Sequence, residues 1–408
     1  MYVITTHIPV FVDGNRYFTD VNWQLDLILA RDWLACHFRG LTVLSPSLPM
    51  NAVDSEAMRI VPIGHDDGIR VIPSFDKRCR TRDFWVKQRY QWKSDVQRTL
   101  ATAKVIHNSA VEAFRPIWYL AQMEAYRAKV TTVLVGPDMD PHATSSGSLK
   151  DKLDCFAFDF MMRRAVTTAD LTLLKEGLVY DRYSRYGENT KGFCHSMHIA
   201  DDVLHESQLE LRLKSLDKQR PLRVVYAGRL VARKGLRDAI DVITLSKRLG
   251  SFIEYHIFGS GPEEANLRQQ AIDNGVDDLI HFHGFVEYTS DFISRLATYD
   301  LLLFMPTEED TPRMLYDAMA AGLPVVGTRI PFLVHRVKQE GLGVLVDIHA
   351  VEHAAEQLRA FDMNRESLKA FSRSAREAGK THSIQNWYRR RADWTLAAVA
   401  SRRPANKS

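Results

Sequence analysis

Glu309 and Asp317 are two carboxylates set eight positions apart in the run EEDTPRMLYDAMAAGLPVVGT. A carboxylate accepts hydrogen bonds from hydroxyls, so such a pair can hold two parts of one polyol. Thr311-Pro312 has the residue types of a helix N-cap and a first-turn proline, and a helix is predicted from Met314 to Ala321. The amides of Arg313, Met314 and Leu315 then form a helix N-terminus, which favours a phosphate. Acids also suit the start of any helix, which accounts for Glu308 to Asp310 without a ligand. Asp317 fits that explanation poorly, because Asp is a weak helix former in mid-helix.

Two further stretches carry candidate chemistry. In Ala227-Gly-Arg-Leu-Val-Ala-Arg-Lys-Gly235 the glycines permit tight turns, and Arg229 and Lys234 leave the end of a strand together. A planar guanidinium fork and an ammonium point charge suit a diphosphate. A solvated basic loop would carry the same residues. Gly259-Ser-Gly-Pro262 joins a strand to a helix, where backbone amides can face an anion. It lacks the GxGxxG spacing, since position 264 is Glu, and reads more simply as a tight turn.

These residues need a scaffold, and the chain supplies a repeating one. Strands are predicted at Arg223–Tyr226, Ile253–Phe258, Leu279–Phe282, Asp300–Met305 and Pro324–Gly327, with helices at Asp238–Leu249 and Glu263–Asn274. The special residues follow the strands' carboxyl ends, where open α/β sheets bind ligands. The first half alternates similarly. Strands are expected at Tyr2–Thr6, Leu41–Leu44, Lys104–His107 and Val130–Val135, with a helix over Arg82–Thr102 and a helix start signalled at Asn108-Ser109. The chain is charged and poor in large apolar residues other than Leu from 204 to 221, so a linker is expected there.

With 408 residues, two domains are expected. A hydrophobic content of 45% and a charged content of 25% are those of a soluble globular protein. The net charge of +4 names no partner. Cys36, Cys79, Cys155 and Cys194 lie too far apart for metal-ligand spacing, and reduced thiols in the cytoplasm are expected. The N-terminal MYVITTHIPVFVDG has no signal-peptide pattern. No apolar run reaches the roughly 18 residues of a spanning helix, so membrane contact would be peripheral.

GRL-x3-KG, GSGP, HGFV and E-x7-D followed by AMAAGLPVVGT occur in that order between Leu222 and Val346, and together they resemble glycosyltransferase family 4. The run RRAVTTADLTLLKEGLVYDRYSRYG carries a looser likeness to bacterial members that build polysaccharides or glycolipids. The resemblance implies an α/β GT-B architecture, two Rossmann-like domains with parallel sheets facing a central cleft. Its boundaries are expected at 1–203 for the acceptor domain, 204–221 for the linker and 222–385 for the nucleotide-sugar domain. Residues 386–408 would form a terminal helix packing back on the first domain, then a tail.

The activity implied is that of a retaining, metal-independent hexosyltransferase. It would move a sugar from a UDP- or GDP-sugar substrate to a saccharide or lipid-linked saccharide, in exopolysaccharide, lipopolysaccharide or other glycoconjugate synthesis. No cofactor and no metal site are implied. Arg229 and Lys234, with Gly228 and Gly261 shaping their loops, would hold the donor diphosphate. Glu309 would meet the transferred sugar, Arg313, Met314 and Leu315 the phosphate, and Phe285, within His283–Val286, the base. Asp317, where the family usually has Glu, would take the ribose, and Ile330-Pro331-Phe332 replaces a frequent glycine-rich pair.

In the first domain, His142 follows a strand and would face the reacting sugar, although a lone loop histidine is more often a surface residue. Gly14, after Asp13, would lie near the phosphates or form an ordinary turn. Residues 77–93 hold seven Lys/Arg against one carboxylate, with Phe84, Trp85, Tyr90 and Trp92 interleaved. Such a stretch suits the inner face of the cytoplasmic membrane. A core-facing helix with a solvated basic face explains it equally, since Trp85 and Trp92 share a stripe, and nucleic acid ranks behind both. A nucleotide-sugar epimerase and a non-catalytic GT-B partner subunit are the alternative readings of the whole chain.

Overall fold

Buried runs of β-branched and leucine residues alternate with helices along most of the chain, and they fold into two units. The structure, a computed structural model, describes residues 1–53, 59–64, 67–138, 140–142, 147–194, 196–216, 220–289 and 291–402. The first unit comprises Met1–Phe193 and Tyr388–Ser408, and the second Cys194–Trp387.

The second unit is built on a six-stranded sheet in which every pairing is parallel. Across the sheet the strands are Ile280–Gly284, Ile253–Phe258, Leu222–Ala227, Leu301–Phe304, Val325–Thr328 and Gly343–Val346. In chain order this is 3-2-1-4-5-6, the doubly wound Rossmann order. Its order reverses between Leu222–Ala227 and Leu301–Phe304, which pair directly through Val224–Leu301 and Val225–Leu302. Loops leaving these two strands in opposite directions open a crevice at their carboxyl ends. Glu309 and the basic loop both belong to those loops.

The first unit has a ten-stranded sheet with the same kind of centre. Tyr2–Thr5 lies between Leu41–Pro49 and Val105–Ser109 and is parallel to both. Thr131–Val135, Leu171–Lys175 and Thr190–Phe193 extend one side, while Ile69–Asp76 pairs with Leu41–Pro49 on the other. Val10–Asp13, parallel to Leu41–Pro49, is added at the margin, followed by Arg16–Asp20 and Ile60–Ile63 in antiparallel pairings. The helix Ile384–Ser401 returns the chain to this unit, where the Tyr388 hydroxyl donates to the Asp26 carbonyl at 3.2 Å.

Several sequence expectations differ from the structure. Residues 204–221 contain the helix Glu206–Leu216 rather than a linker alone. Leu209, Leu213 and Leu216, spaced as one helical face, are buried with Arg212 in the second unit. The unit boundary accordingly lies at Phe193/Cys194. Asn108-Ser109 ends the strand Val105–Ser109, and the next helix begins only at Ile117. Asn108 is held in the core by a donated bond to Gln122 at 2.9 Å and an accepted one from Thr5 at 2.7 Å. Gly14 lies at the tip of the hairpin Val10–Asp13/Arg16–Asp20, where it forms the turn. Its φ of 57° suits the first central position of a two-residue hairpin loop. In the 77–93 stretch Phe84 and Trp92 are buried, and the Trp85 indole donates to the Phe114 carbonyl at 2.9 Å. Core packing therefore takes up much of that aromatic surface.

Glycine sets the approach of the loops in the second unit. Gly235 has φ of 67°, and a Cβ there would fall 1.6 Å from the Met305 carbonyl oxygen. Gly235→Ala is therefore expected to lose roughly 2 kcal/mol or more, from strain and from separating two backbones. A drop of several degrees in the thermal unfolding midpoint, read by circular dichroism, checks it. An unchanged midpoint contradicts this packing.

Candidate functional site

The loop after Leu222–Ala227 is held in shape before any ligand is considered. The Tyr226 hydroxyl donates to the Arg229 carbonyl at 3.0 Å, and the Leu230 amide donates to the Ser260 carbonyl at 3.0 Å. Gly261 lies against the same loop, since a Cβ there would meet the Leu230 oxygen at 2.3 Å. Gly259-Ser-Gly-Pro262 is thus first a close-packed turn, and its glycines serve the basic loop beside it. Gly228 and Arg229 are exposed at the loop's crest.

Lys234 is placed differently. Its ammonium donates to Asp310 Oδ2, and Arg233 lies 3.2 Å from the same oxygen. Burial lowers the Lys234 ammonium below the ordinary amine range, and Asp310 opposes that shift. The ammonium also lies 5.5 Å over the Phe304 ring. The Thr307 amide donates to the Arg233 carbonyl at 3.0 Å, so the loops after strands one and four are joined through backbone and side chain. Asp310 and Arg233 are members of the site that the sequence did not single out. Asp310 was hidden among three consecutive acids, and no local pattern joins residues 76 positions apart.

The helix expected after this loop is Arg313–Ala320. Pro312, not Thr311, occupies the N-cap position, in extended conformation, and no side chain caps the helix. Its first amides belong to Arg313 and Met314, while the Leu315 amide donates to the Pro312 carbonyl at 3.2 Å. Arg313 is exposed, whereas Met314 and Leu315 are buried. Met314 roots the helix in the crevice, its sulfur accepting from the Ala227 amide at 2.8 Å. Glu309 is half-buried in the loop before it. The Thr328 hydroxyl donates to the Pro306 carbonyl at 2.5 Å and ties in the end of strand five.

Asp317 is buried on the same helix and accepts from the Tyr288 hydroxyl at 3.2 Å. Tyr288 is a second residue that spacing does not reveal. Burial raises the Asp317 carboxyl to about 7, with the Tyr288 bond and Arg313 opposing. Phe285 stands beyond Ile280–Gly284 and is 77% exposed, leaving its ring face available. Gly228, Arg229, Lys234, Gly261, Phe285, Glu309, Arg313, Met314, Leu315 and Asp317 thus all lie at or beyond the strand carboxyl ends of one sheet.

His142 and Gly14 belong to the first unit. His142 is not a lone loop residue. Its Nε2 lies 2.9 Å from Asp159 Oδ2, the Tyr183 hydroxyl donates to the other Asp159 oxygen, and its amide donates to Asp140 at 3.0 Å. Asp140 in turn accepts from Arg182 at 2.8 Å. The exposed ring is therefore aimed by a buried carboxylate.

Glu254, His256 and His281 have potential metal-ligand atoms within 4.8 Å of one another. The His256 and His281 rings lie 4.6 Å apart at 33°. His256 Nδ1 shares a proton with His283 Nε2 at 3.0 Å, and the His283 ring stacks on Phe258 at 4.4 Å. Burial, aided by His281 and His283, lowers His256 to about 3 and keeps it neutral. The group is built as an aromatic stack.

Two doubly wound units, one with basic and acidic loops interlocked at its switch point, have the fold of GT-B glycosyltransferases. Solved structures share it over nearly the whole chain. Anabaena Alr3699/HepE in complex with UDP matches with a TM-score of 0.66 at 15% identity, covering 97% of this chain and 99% of that one. WaaG, a glycosyltransferase involved in lipopolysaccharide biosynthesis, matches with a TM-score of 0.60 at 16% identity, covering 96% and 99%. Residues 207–378, within the second unit, match the family model for glycosyl transferases group 1. The putative colanic acid biosynthesis glycosyltransferase WcaL of Escherichia coli is 29% identical over 164 residues, 38% of this chain and 40% of that protein. The amylovoran biosynthesis glycosyltransferase AmsK of Erwinia amylovora is 31% identical over 132 residues, 31% of this chain and 32% of that protein. The chain thus aligns with less than half the length of these relatives.

The raised Asp317 carboxyl has a consequence for stability. The unfolded group ionises near 3.8 and the folded one near 7. Between those values the folded state keeps a proton that the unfolded state has lost. The contribution of Asp317 is therefore full below about pH 4 and falls as pH rises toward 7. Asp317→Asn, which retains an acceptor for Tyr288 without the charge, should remove this slope. Thermal unfolding from pH 5 to pH 8 should show the variant gaining on the wild type, by a few kcal/mol at most. Parallel pH profiles would contradict the assignment.

Proposed function

We propose that the chain is a retaining glycosyltransferase that moves a sugar from a nucleoside diphosphate sugar to an acceptor hydroxyl. The observation that carries this reading is that the loop bearing Arg229 and Lys234 and the loop bearing Glu309 leave adjacent strands at one switch point and are tied together by Lys234 and Asp310, with the helix start at Arg313 following directly. In this reading the departing diphosphate carries the charge that must be stabilised. Arg229 offers its fork from the loop's crest, Lys234 an ammonium, and the helix start its uncapped amides. Asp310 holds Lys234 in place until the phosphate competes for it. Glu309 orients the transferred sugar through its hydroxyls. Asp317 accepts from the ribose as a carboxylate, so donor binding strengthens as pH rises through about 7.

No residue is assigned as a covalent nucleophile. The acceptor hydroxyl attacks from the face the diphosphate leaves, its proton passes to the departing phosphate oxygen, and configuration is retained. The reaction as proposed requires no metal and no cofactor. His142, aimed by Asp159, is proposed to meet the reacting sugar. UDP is the first donor nucleotide to try, because HepE was solved with it, and a GDP-sugar is the second. The named relatives in colanic acid and amylovoran synthesis support a saccharide acceptor in polysaccharide assembly; a lipid-linked saccharide met at the cytoplasmic side of a membrane is proposed with it.

Calorimetry with UDP and GDP, then turnover with the matching sugar donors, tests the reading. The wild type should bind at least one nucleotide. Lys234→Ala and Arg229→Ala should each lower transfer by about 10²- to 10³-fold while the fold is retained. Near-normal turnover in both variants would sink the assignment. Failure of the wild type to bind either nucleotide would favour a non-catalytic partner subunit. Isomerised donor formed without acceptor would favour an epimerase.

A further inference from the structure

The helix Leu149–Thr168 in the first unit is apolar on two opposite faces. One face packs inward. Phe158, Met162, Ala165 and Val166 join Trp118, Leu134 and Leu174 in a buried cluster. The other face has no such role. Leu149, Leu153, Phe156 and Phe160 are 77%, 62%, 73% and 61% exposed. Their spacing of four, three and four residues puts them within roughly 60° of arc at about 100° per residue. An ordinary surface helix presents polar residues there.

Charge around this stripe has one sign. Lys150, Lys152 and Arg164 flank it and are exposed. Asp151 and Asp154 lie toward the opposite side and are half-buried, while Asp159 is buried with His142 and Tyr183. The Lys150 ammonium lies 5.5 Å over the ring of Phe114, which is itself 45% exposed and extends the apolar surface. Leucine and phenylalanine on one arc, with lysine and arginine at its margins, is the pattern of a helix lying in a lipid headgroup boundary. No helix among the described residues is long and apolar enough to cross a membrane, so contact through this surface is lateral.

We propose that the Leu149–Leu153–Phe156–Phe160 face, with Phe114 beside it and Lys150, Lys152 and Arg164 at its edges, seats the first unit on an anionic lipid bilayer. The apolar rings enter the acyl boundary, and the basic side chains extend to the phosphates. This moves the expected membrane contact from residues 77–93, whose Phe84 and Trp92 belong to the core, to a different element.

Co-sedimentation of the full chain with vesicles tests the proposal. One set contains phosphatidylcholine alone, and the other has about one-third phosphatidylglycerol to supply surface charge. The wild type should sediment with the anionic vesicles and lose binding as salt is raised. Leu153→Glu with Phe156→Glu should cut the bound fraction at least about tenfold, and Lys150→Glu with Lys152→Glu should weaken anionic binding most. Leu211→Glu, at an exposed leucine of the second unit, should sediment as wild type. Circular dichroism confirms that each variant is folded.

Three outcomes overturn the proposal. The wild type stays in the supernatant with both vesicles, the Leu153/Phe156 variant sediments unchanged, or the wild type is a dimer that this variant dissolves without vesicle binding by either form. Nucleotide calorimetry on the same proteins separates this result from the transferase reading. Loss of UDP and GDP binding strikes that reading alone, and loss of vesicle binding strikes only the lipid contact.

Discussion

The Met305 carbonyl oxygen occupies the place where any residue but glycine at 235 would put its Cβ, 1.6 Å away. The same kind of contact recurs at Gly259, whose Cβ would lie 1.9 Å from the Gly228 oxygen, and at Gly261 against Leu230. Three loops from three strands thus meet backbone to backbone at the carboxyl edge of one sheet. Side chains that carry charge are then displaced to the crest and floor of the crevice. Arg229 stands outward because Tyr226 and Ser260 hold its loop flat, and Lys234 goes inward toward Asp310.

Charge in the second unit is arranged by burial as much as by pairing. Arg212 is buried yet donates to the carbonyls of Gly322, Ala297, Tyr299 and Asp300, so its positive charge is spread over backbone oxygens. Burial lowers it to about 10, still well above neutrality. It joins the residue after the site helix, Gly322, to Asp300 just before strand four, and thereby clamps the amino edge of the sheet beneath the unit that carries Glu309. Asp300 is held by a bidentate bond from Arg220 with two distances of 2.6 Å. At the opposite, carboxyl edge the crevice loops are fixed by Lys234 to Asp310 and by the Thr307 amide to the Arg233 carbonyl, and groups held in advance need little reorganisation when charge develops among them.

Much of the second unit was legible in the sequence because its signals are local. The strands Ile253–Phe258 and Leu301–Phe304 lie within a residue of their expected positions or match them, and the glycine-bearing turns follow directly. The first unit was less legible. Its hairpin at Gly14 depends on a strand added to a sheet margin, and Asn108 is drawn into a strand by partners at Thr5 and Gln122. The helix Glu206–Leu216 escaped notice because its charged residues outnumber its buried leucines, although Leu209, Leu213 and Leu216 keep helical spacing.

By itself the sequence determined the two-unit α/β plan, the strand ends that carry glycine, and the candidates Arg229, Lys234, Glu309 and Asp317, because periodicity and turn chemistry act over a few residues. Only the tertiary structure decided that Lys234 is held by Asp310, that Asp317 is buried against Tyr288, and that His142 is aimed by Asp159. It also decided which aromatic residues are core and which stand exposed on Leu149–Thr168. Those outcomes depend on partners 17 to 76 residues away and on which face of a helix meets the sheet. Neither is written in local spacing, because long-range contacts and burial exist only once the chain has closed on itself.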